Sequence, residues 1–316
     1  MSKYEKVDLS QVRTYSIDKR TSKIRVENLA KVYEKGTSLA NFLKSLPNIL
    51  KGLEFRELVA HIGNARRNHK PIIFMFGAHV IKVGLSPVLI DMMKHGFITA
   101  LATHGAGAIH DVELSYFGHT SEDVVKGLAD GTFGMVEETG KIINGAAEQA
   151  TAEGLGYGES LGKRIIEDRP PNLDISLLAN AYSLDVPVTL HVALGTDITH
   201  QQPTVNGAAI GKASLTDFQI FTRVVSQINE GGVVINCGSS VILPEVFLKA
   251  LTVARNLFGE IKNFVTANFD MFTHYRPAVN VLQRPIHQGG HSYQFIGHHE
   301  IMIPLLAASL KENLLP

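Results

Sequence analysis

The 316-residue chain has no tryptophan and a single cysteine, Cys237. One thiol cannot close an intramolecular disulfide or build a thiolate metal cage, so a reducing compartment is expected, with a cytoplasmic localisation as the default. Net charge is missing too, because 30 Lys and Arg oppose 30 Asp and Glu. No global field favours a polyanion, and nucleic acid is not expected as a partner. Long apolar runs are also lacking: Ile301 to Leu310 falls far short of the roughly 20 residues that cross a bilayer. The opening Met-Ser-Lys-Tyr-Glu-Lys has mixed charge and no apolar stretch behind it, so neither a membrane nor export is expected. Apolar residues, by contrast, make up 45% of the chain and charged ones 19%, enough for a large core. Fourteen histidines and 28 glycines are the less ordinary features, and both point to a site.

Residues 1–70 are the most charged part and read mostly as helix, an N-terminal extension packing on the main domain or on a neighbouring subunit. Leu39, Phe42, Leu43, Leu46, Ile49 and Leu50 recur at helical spacing behind Ser38, a candidate N-cap. From residue 71 short apolar runs alternate with helical stretches: Ile72–Phe76, Ile98–Ala102, Val186–Val192, Val233–Asn236 and Phe264–Ala267. Runs of this kind are strands buried on both faces. Between the first two, Ser86, Pro87 and Gly96 start and stop a helix; Pro244 and Gly259 bound another. The pattern predicts an α/β fold for residues 71–316, a doubly wound, mostly parallel sheet with helices on both faces. Residues 118–171, rich in Gly, Glu and Asp, read as a helical elaboration of the active site.

In open parallel sheets ligands bind beyond the carboxyl ends of the strands. The residues there are Gly77 and His79, then Thr103, His104, Gly105, Gly107, His110 and Asp111, then Asp197 and His200. Gly238 and Ser239 follow the fourth run, and Asn268, Asp270 and His274 the fifth. Backbone N–H groups at Gly105–Gly107 and Gly238–Ser239 are candidates to hold a phosphate. The Gly-x-Gly-x-x-Gly fingerprint is absent, since the first strand leads into Gly77-Ala-His-Val-Ile-Lys-Val-Gly84, which disfavours an ordinary dehydrogenase domain. His104, His110, His200, His298 and Glu300 supply metal-ligand types, but no His-x-x-x-His falls on a predicted helix, and no metal residue is assigned. Cys237 reads as a small buried residue, and Ser239-Ser240 lacks the context of a hydrolase elbow.

Taken in order, Phe74–Gly84, Ala102–Asp111, Val233–Ile242, Thr266–Pro277 and Ile303–Leu306 resemble the nucleotide-contacting segments of the deoxyhypusine synthase family, over about Pro71 to Leu310. The resemblance implies a bound NAD, with Gly77, His79, Thr103, Gly105, Gly107, Asp197, Gly238, Ser239, Asn268, Asp270 and His298 as its contacts, and a homotetramer with sites at subunit interfaces. It does not imply the family's reaction. Where the family has the Trp-Gly-Lys that forms an imine, this chain has Gln283-Arg284-Pro285, and no lysine lies between Asn263 and Leu310. A guanidinium stays protonated and cannot take over that role. The expected function is an NAD-binding enzyme acting on a small polar substrate, an amine or alcohol. His104, His110 and His200 are its acid/base candidates, and Asp111, His274, Arg284, His287 and Glu300 its substrate contacts. A catalytically silent NAD or nucleotide binder and, third, a metal-dependent hydrolase are the alternatives.

Overall fold

The computed structural model describes residues 2–314. They form two compact units that divide between Leu53 and Glu54. The first holds three single-turn 3-10 helices, Leu9–Gln11, Ile17–Lys19 and Val26–Asn28, and α1 (Leu39–Ser45). Ser38 caps α1 as expected, its hydroxyl accepting from the Asn41 N–H at 3.2 Å. The expected helix does not extend back from there. Tyr4, Val7, Leu9, Val12, Tyr15 and Ile17 are all exposed, and a short helix that buries no apolar face is marginal in water. α2 (Leu50–Arg67) starts at the end of this unit and runs into the next.

The second unit is a six-stranded, wholly parallel sheet in the order β3-β2-β1-β4-β5-β6. Its strands are β1 (Ile72–Phe76), β2 (Ala100–Thr103), β3 (Val188–Leu190), β4 (Val233–Cys237), β5 (Phe264–Asp270) and β6 (Gly290–Ile296). This is the doubly wound order of dinucleotide-binding folds, with its topological switch point between β1 and β4. The first five strands are buried throughout. β6 gave no apolar run because only Tyr293 and Phe295 are buried in it, between more exposed neighbours. The connections are α3 (His79–Lys82) and α4 (Ser86–Lys94), then α5 (Gly105–Phe117), α6 (Val124–Asp130), α7 (Glu137–Glu153), α8 (Tyr157–Asp168) and α9 (Leu177–Ser183). α10 (Gly207–Val225) joins β3 to β4, α11 (Ile242–Phe258) joins β4 to β5, and α12 (His299–Leu314) follows β6. Ile73, Met75, Val234, Phe247, Leu251 and Phe264 belong to one apolar cluster between sheet and helices. Among the described residues no helix is long and apolar enough to cross a membrane.

Three helix N-termini in this unit are closed by aspartates from distant parts of the chain. Asp111, on α5, accepts from the Leu177 N–H (2.7 Å), the Leu178 N–H (3.2 Å) and the Ser176 hydroxyl (2.6 Å), and so caps α9. Asp217, on α10, accepts from the Gly158 N–H (2.9 Å) in the first turn of α8 and from the Leu190 N–H (2.7 Å) at the end of β3. Asp197, after β3, accepts from the Ala106 N–H at the start of α5. Each supplies an acceptor that the first turn of a helix lacks, and places it at the positive end of the dipole.

Burial raises the Asp217 carboxyl to about 7, against the hydrogen bonds from Leu190, Gly158 and Tyr157 that lower it. The folded state therefore holds this proton at pH values where the unfolded chain has released it, and the associated stability is lost as pH rises from about 4 towards 7. Asp217→Asn keeps an oxygen for both N–H groups and removes the titration. Its stability relative to the native chain should improve by roughly 2 kcal/mol between pH 5 and pH 7, measured by urea unfolding. Asp217→Ala also removes the titration but strands the N–H groups, and should be about 3 kcal/mol less stable than Asp217→Asn at either pH. A pH-independent difference for the asparagine variant would rule out a protonated Asp217.

Candidate functional site

The carboxyl edge of the sheet carries a cavity of about 610 Å³ among α5, residues 119–139 and the segment after β3. Lys82, Ala106, His110, Glu138, Thr196 and Asp197 are on its wall. His110 sits one helical turn beyond the start of α5, and its ring is fixed by two residues the sequence did not single out. The Thr120 hydroxyl donates to Glu113 Oε2 at 2.5 Å, which leaves its lone pairs to face His110 Nδ1 at 2.6 Å. Glu113 is held in turn by the Thr139 hydroxyl, 3.1 Å from Oε1. Nδ1 therefore carries the hydrogen and Nε2 is left with its lone pair. Burial, with Lys82 and His104 adding repulsion, pushes the imidazole down to about 4. At neutral pH His110 is an uncharged base with a defined tautomer.

The other two acid/base candidates are placed differently. His104 is the residue before α5, largely buried, which lowers its basicity. His200 accepts from the Gly195 and Asp197 N–H groups through Nδ1, at 3.1 and 3.3 Å, and its Nε2 faces Asp197 Oδ2 at 3.7 Å. It positions Asp197, whose carboxyl is raised by burial and lowered by His200.

The glycines expected to cradle a phosphate on α5 have packing roles instead. A Cβ at Gly105 would collide with the Asp197 carboxylate, and one at Gly107 with the Thr103 side chain. The Gly107 N–H is already bonded to the His104 carbonyl at 2.9 Å. An aspartate thus stands where an anion at this helix end would stand. Thr103 is buried and donates to the Phe76 carbonyl at 2.9 Å.

The switch point is better suited to a nucleotide. Gly77 and Gly238 approach so closely that a Cβ on Gly77 would strike the Gly238 carbonyl, and Gly238, at φ +66°, would meet the His299 ring at 2.8 Å. The Gly77 and Gly238 N–H groups are used within the sheet edge, on Cys237 and Phe269. Those of Ala78, His79, Ser239 and Ser240 have no acceptor among the described residues. Asp270 Oδ2 and His299 Nδ1 are buried nearby without a partner, while Asp270 Oδ1 accepts from the Met271 N–H at 2.8 Å. Unpaired buried polar atoms beside free N–H groups fit a group carrying hydroxyls and phosphates. His299 was missed in favour of its exposed neighbour His298, which pairs with Glu300 at 3.7 Å. The signal was present in the spacing: His299, Ile303, Leu306 and Leu310 share the inward face of α12.

Four further expectations are corrected by position. Asp111 is committed to capping α9, as above. Asn268 is fully buried in an amide ladder, accepting from Asn236 at 2.7 Å and donating to Gln294 at 3.2 Å. His287 precedes β6 and so lies at the amino edge of the sheet, and Arg284 is held by Asn280 Oδ1 at 2.8 Å; neither is on the cavity wall. His274 does lie at the carboxyl edge, partly exposed and 3.9 Å from Asp270. Cys237 is fully buried, and burial, then Asp270, pushes its thiol well above its ordinary value, which removes it as a nucleophile. Among the described residues no group of three His, Cys, Asp or Glu is arranged to hold a metal.

Fold and strand order define a doubly wound α/β protein with its cavity at the carboxyl edge. Solved structures share this architecture. A "conserved putative LOR/SDH protein" from Methanococcus maripaludis S2 superposes with a TM-score of 0.52 at 15% identity, over 84% of this chain and 70% of that one. AgrE, in a ternary complex with ornithine and NAD+, gives 0.53 at 13% identity, over 82% of this chain and 33% of AgrE. The chain spans about a third of the AgrE length. A "putative deoxyhypusine synthase" from Entamoeba histolytica gives 0.48 at 12% identity over 88% and 96%, too low to carry an argument. No protein-family model matches the sequence, and no curated protein does. These likenesses support the fold.

The state of His110 is directly measurable. In an NMR titration its ring should change protonation below pH 5, and Thr120→Val should disturb the Nδ1-protonated tautomer. A midpoint near 6.5 would contradict the buried, Thr120-bonded geometry.

Proposed function

We propose that the chain is an NAD-binding enzyme that oxidises a small amine or alcohol in the 610 Å³ cavity, with His110 as the base. The observation that carries this reading is the His110 imidazole, neutral at physiological pH, with Nδ1 tied to Thr120 and Nε2 left as acceptor. Oxidation of an amine or alcohol requires a group that removes a proton from nitrogen or oxygen, and His110 offers a free, oriented ring nitrogen on the cavity wall. Asp197 and Glu138 on the cavity wall receive an ammonium or hydroxyl of the substrate. Lys82, on the same wall, adds to the burial that keeps His110 unprotonated and favours an anionic group on the substrate.

NAD, when bound, supplies the hydride acceptor. The N–H groups of Ala78, His79, Ser239 and Ser240 hold its pyrophosphate, and Asp270 Oδ2 receives a ribose hydroxyl. NAD+ in the AgrE complex supports this assignment for the shared architecture. A homotetramer belongs to the same reading. Deoxyhypusine is not the product, since no lysine lies between Asn263 and Leu310 to carry an imine. That loss also favours a second reading, a nucleotide binder without turnover.

Calorimetry with NAD, followed by a screen of amines and alcohols for reduction of the cofactor, separates the two. His110→Gln should lower turnover by about 10²- to 10³-fold and leave NAD affinity unchanged. Asp270→Asn should weaken NAD by about tenfold. Binding without turnover would select the second reading, and absence of any NAD binding would end both.

A further inference from the structure

The amino edge of the sheet carries a second cavity, of about 800 Å³, bordered by Pro71, Thr99 and Pro187, the residues that precede β1, β2 and β3. It is separated from the carboxyl edge by the length of the strands, about 15 Å. Its wall holds six basic side chains, Arg66, Arg67, His69, Lys70, Lys94 and His95, and no aspartate or glutamate. In a chain with 30 cationic and 30 acidic residues, this segregation makes a local positive field.

The four permanent cations are not neutralised within the protein. Arg66 Nε donates to the His95 carbonyl at 2.8 Å and its guanidinium lies 5.3 Å from the Phe97 ring. Lys70 Nζ donates to the Asn229 carbonyl at 2.9 Å, and Arg67 to Asn64 Oδ1 at 2.5 Å. None of Arg66, Arg67, Lys70 and Lys94 has an ion-pair partner among the described residues. Asp91, 3.4 Å from the His95 ring, is already paired with Lys311. Basic residues near the ends of α2 and α4 are partly explained by the helix dipole. But each helix C-terminus carries only about half a negative charge, less than four full cations.

We propose that this cavity binds a compact polyanion, a chain of phosphates, at a site separate from the catalytic edge. Arg66 and Lys70, half-buried and oriented by backbone carbonyls, form its floor. Arg67 and Lys94, exposed, close its rim. Guanidinium forks suit bidentate phosphate contacts, and several neighbouring cations favour a ligand of three or more charges over a single phosphate. Such a chain occurs in free inorganic polyphosphate and in nucleoside triphosphates.

Inorganic tripolyphosphate and ATP, titrated separately into the full-length protein by calorimetry, test the proposal. Tripolyphosphate should bind one per chain, more weakly as salt is raised. Arg67→Ser with Lys94→Ser, two exposed positions that leave the core untouched, should weaken it by roughly tenfold per cation with an unchanged melting temperature. Equal affinity for ATP would assign recognition to the phosphates alone, and tighter ATP binding, lost in the same variant, would add the nucleoside. Absence of saturable tripolyphosphate binding, or binding that the double variant leaves unchanged, overturns the site. NAD binding at the carboxyl edge should be the same in the double variant and the native protein.

Discussion

Buried carboxylates at helix N-termini organise this fold. A helix that begins beside a sheet leaves N–H groups facing inward, away from water, and they must find acceptors. Here the acceptors are Asp111 for α9, Asp217 for α8 and Asp197 for α5. Asp197 and Asp217 cross from the β3–β4 connection to helices of the β2–β3 connection, and Asp111 joins the first and last helices of the latter, so each ties together parts of the chain that local folding would leave independent. The arrangement carries an electrostatic cost, visible in the carboxyls of Asp111 and Asp217, raised by burial to about 6 and about 7. The helix dipoles and hydrogen bonds offset part of it.

The same constraint decides where chemistry can occur. With Asp197 at the start of α5, that helix end is unavailable to a phosphate, and the free N–H groups are left at the switch point between β1 and β4. Asp197 also forms part of the wall of the cavity that contains His110. One residue thus closes a helix, excludes an anion from it and shapes the adjoining pocket. The Gly77–Gly238 approach has a similar double effect, since backbone contact at the switch point requires both positions to lack a side chain. The first helix after β1, only four residues long, accounts for the absence of the usual glycine fingerprint in a sheet that has the usual strand order.

Much of the architecture was legible in the sequence. Five buried strands announced themselves as apolar runs, and Ser38 caps α1 as expected, whereas Ser86 is the first residue of α4 and makes no cap bond, and α11 begins two residues before Pro244. β6 was not legible because only two of its seven residues, Tyr293 and Phe295, are buried. His104, His110, Asp197 and His200 were correctly drawn to one edge because residues after parallel strands share that edge by topology. His287 was misplaced for the same reason inverted: it precedes an unrecognised strand. Thr120 and Glu113 carried no sequence signal, since a threonine before a helix and an acid within one are ordinary residues.

The sequence by itself determined five of the six strands, most helices of the second unit and which edge of the sheet is polar, because periodicity and capping act within about a dozen residues. Tertiary structure alone decided which polar groups are available. Asp111 is spent on a helix 66 residues away, Asp197 serves both Ala106 and the cavity wall, and His110 is left with one free nitrogen. Hydrogen-bond partners of this kind depend on distance in space, and a one-dimensional pattern contains no measure of it.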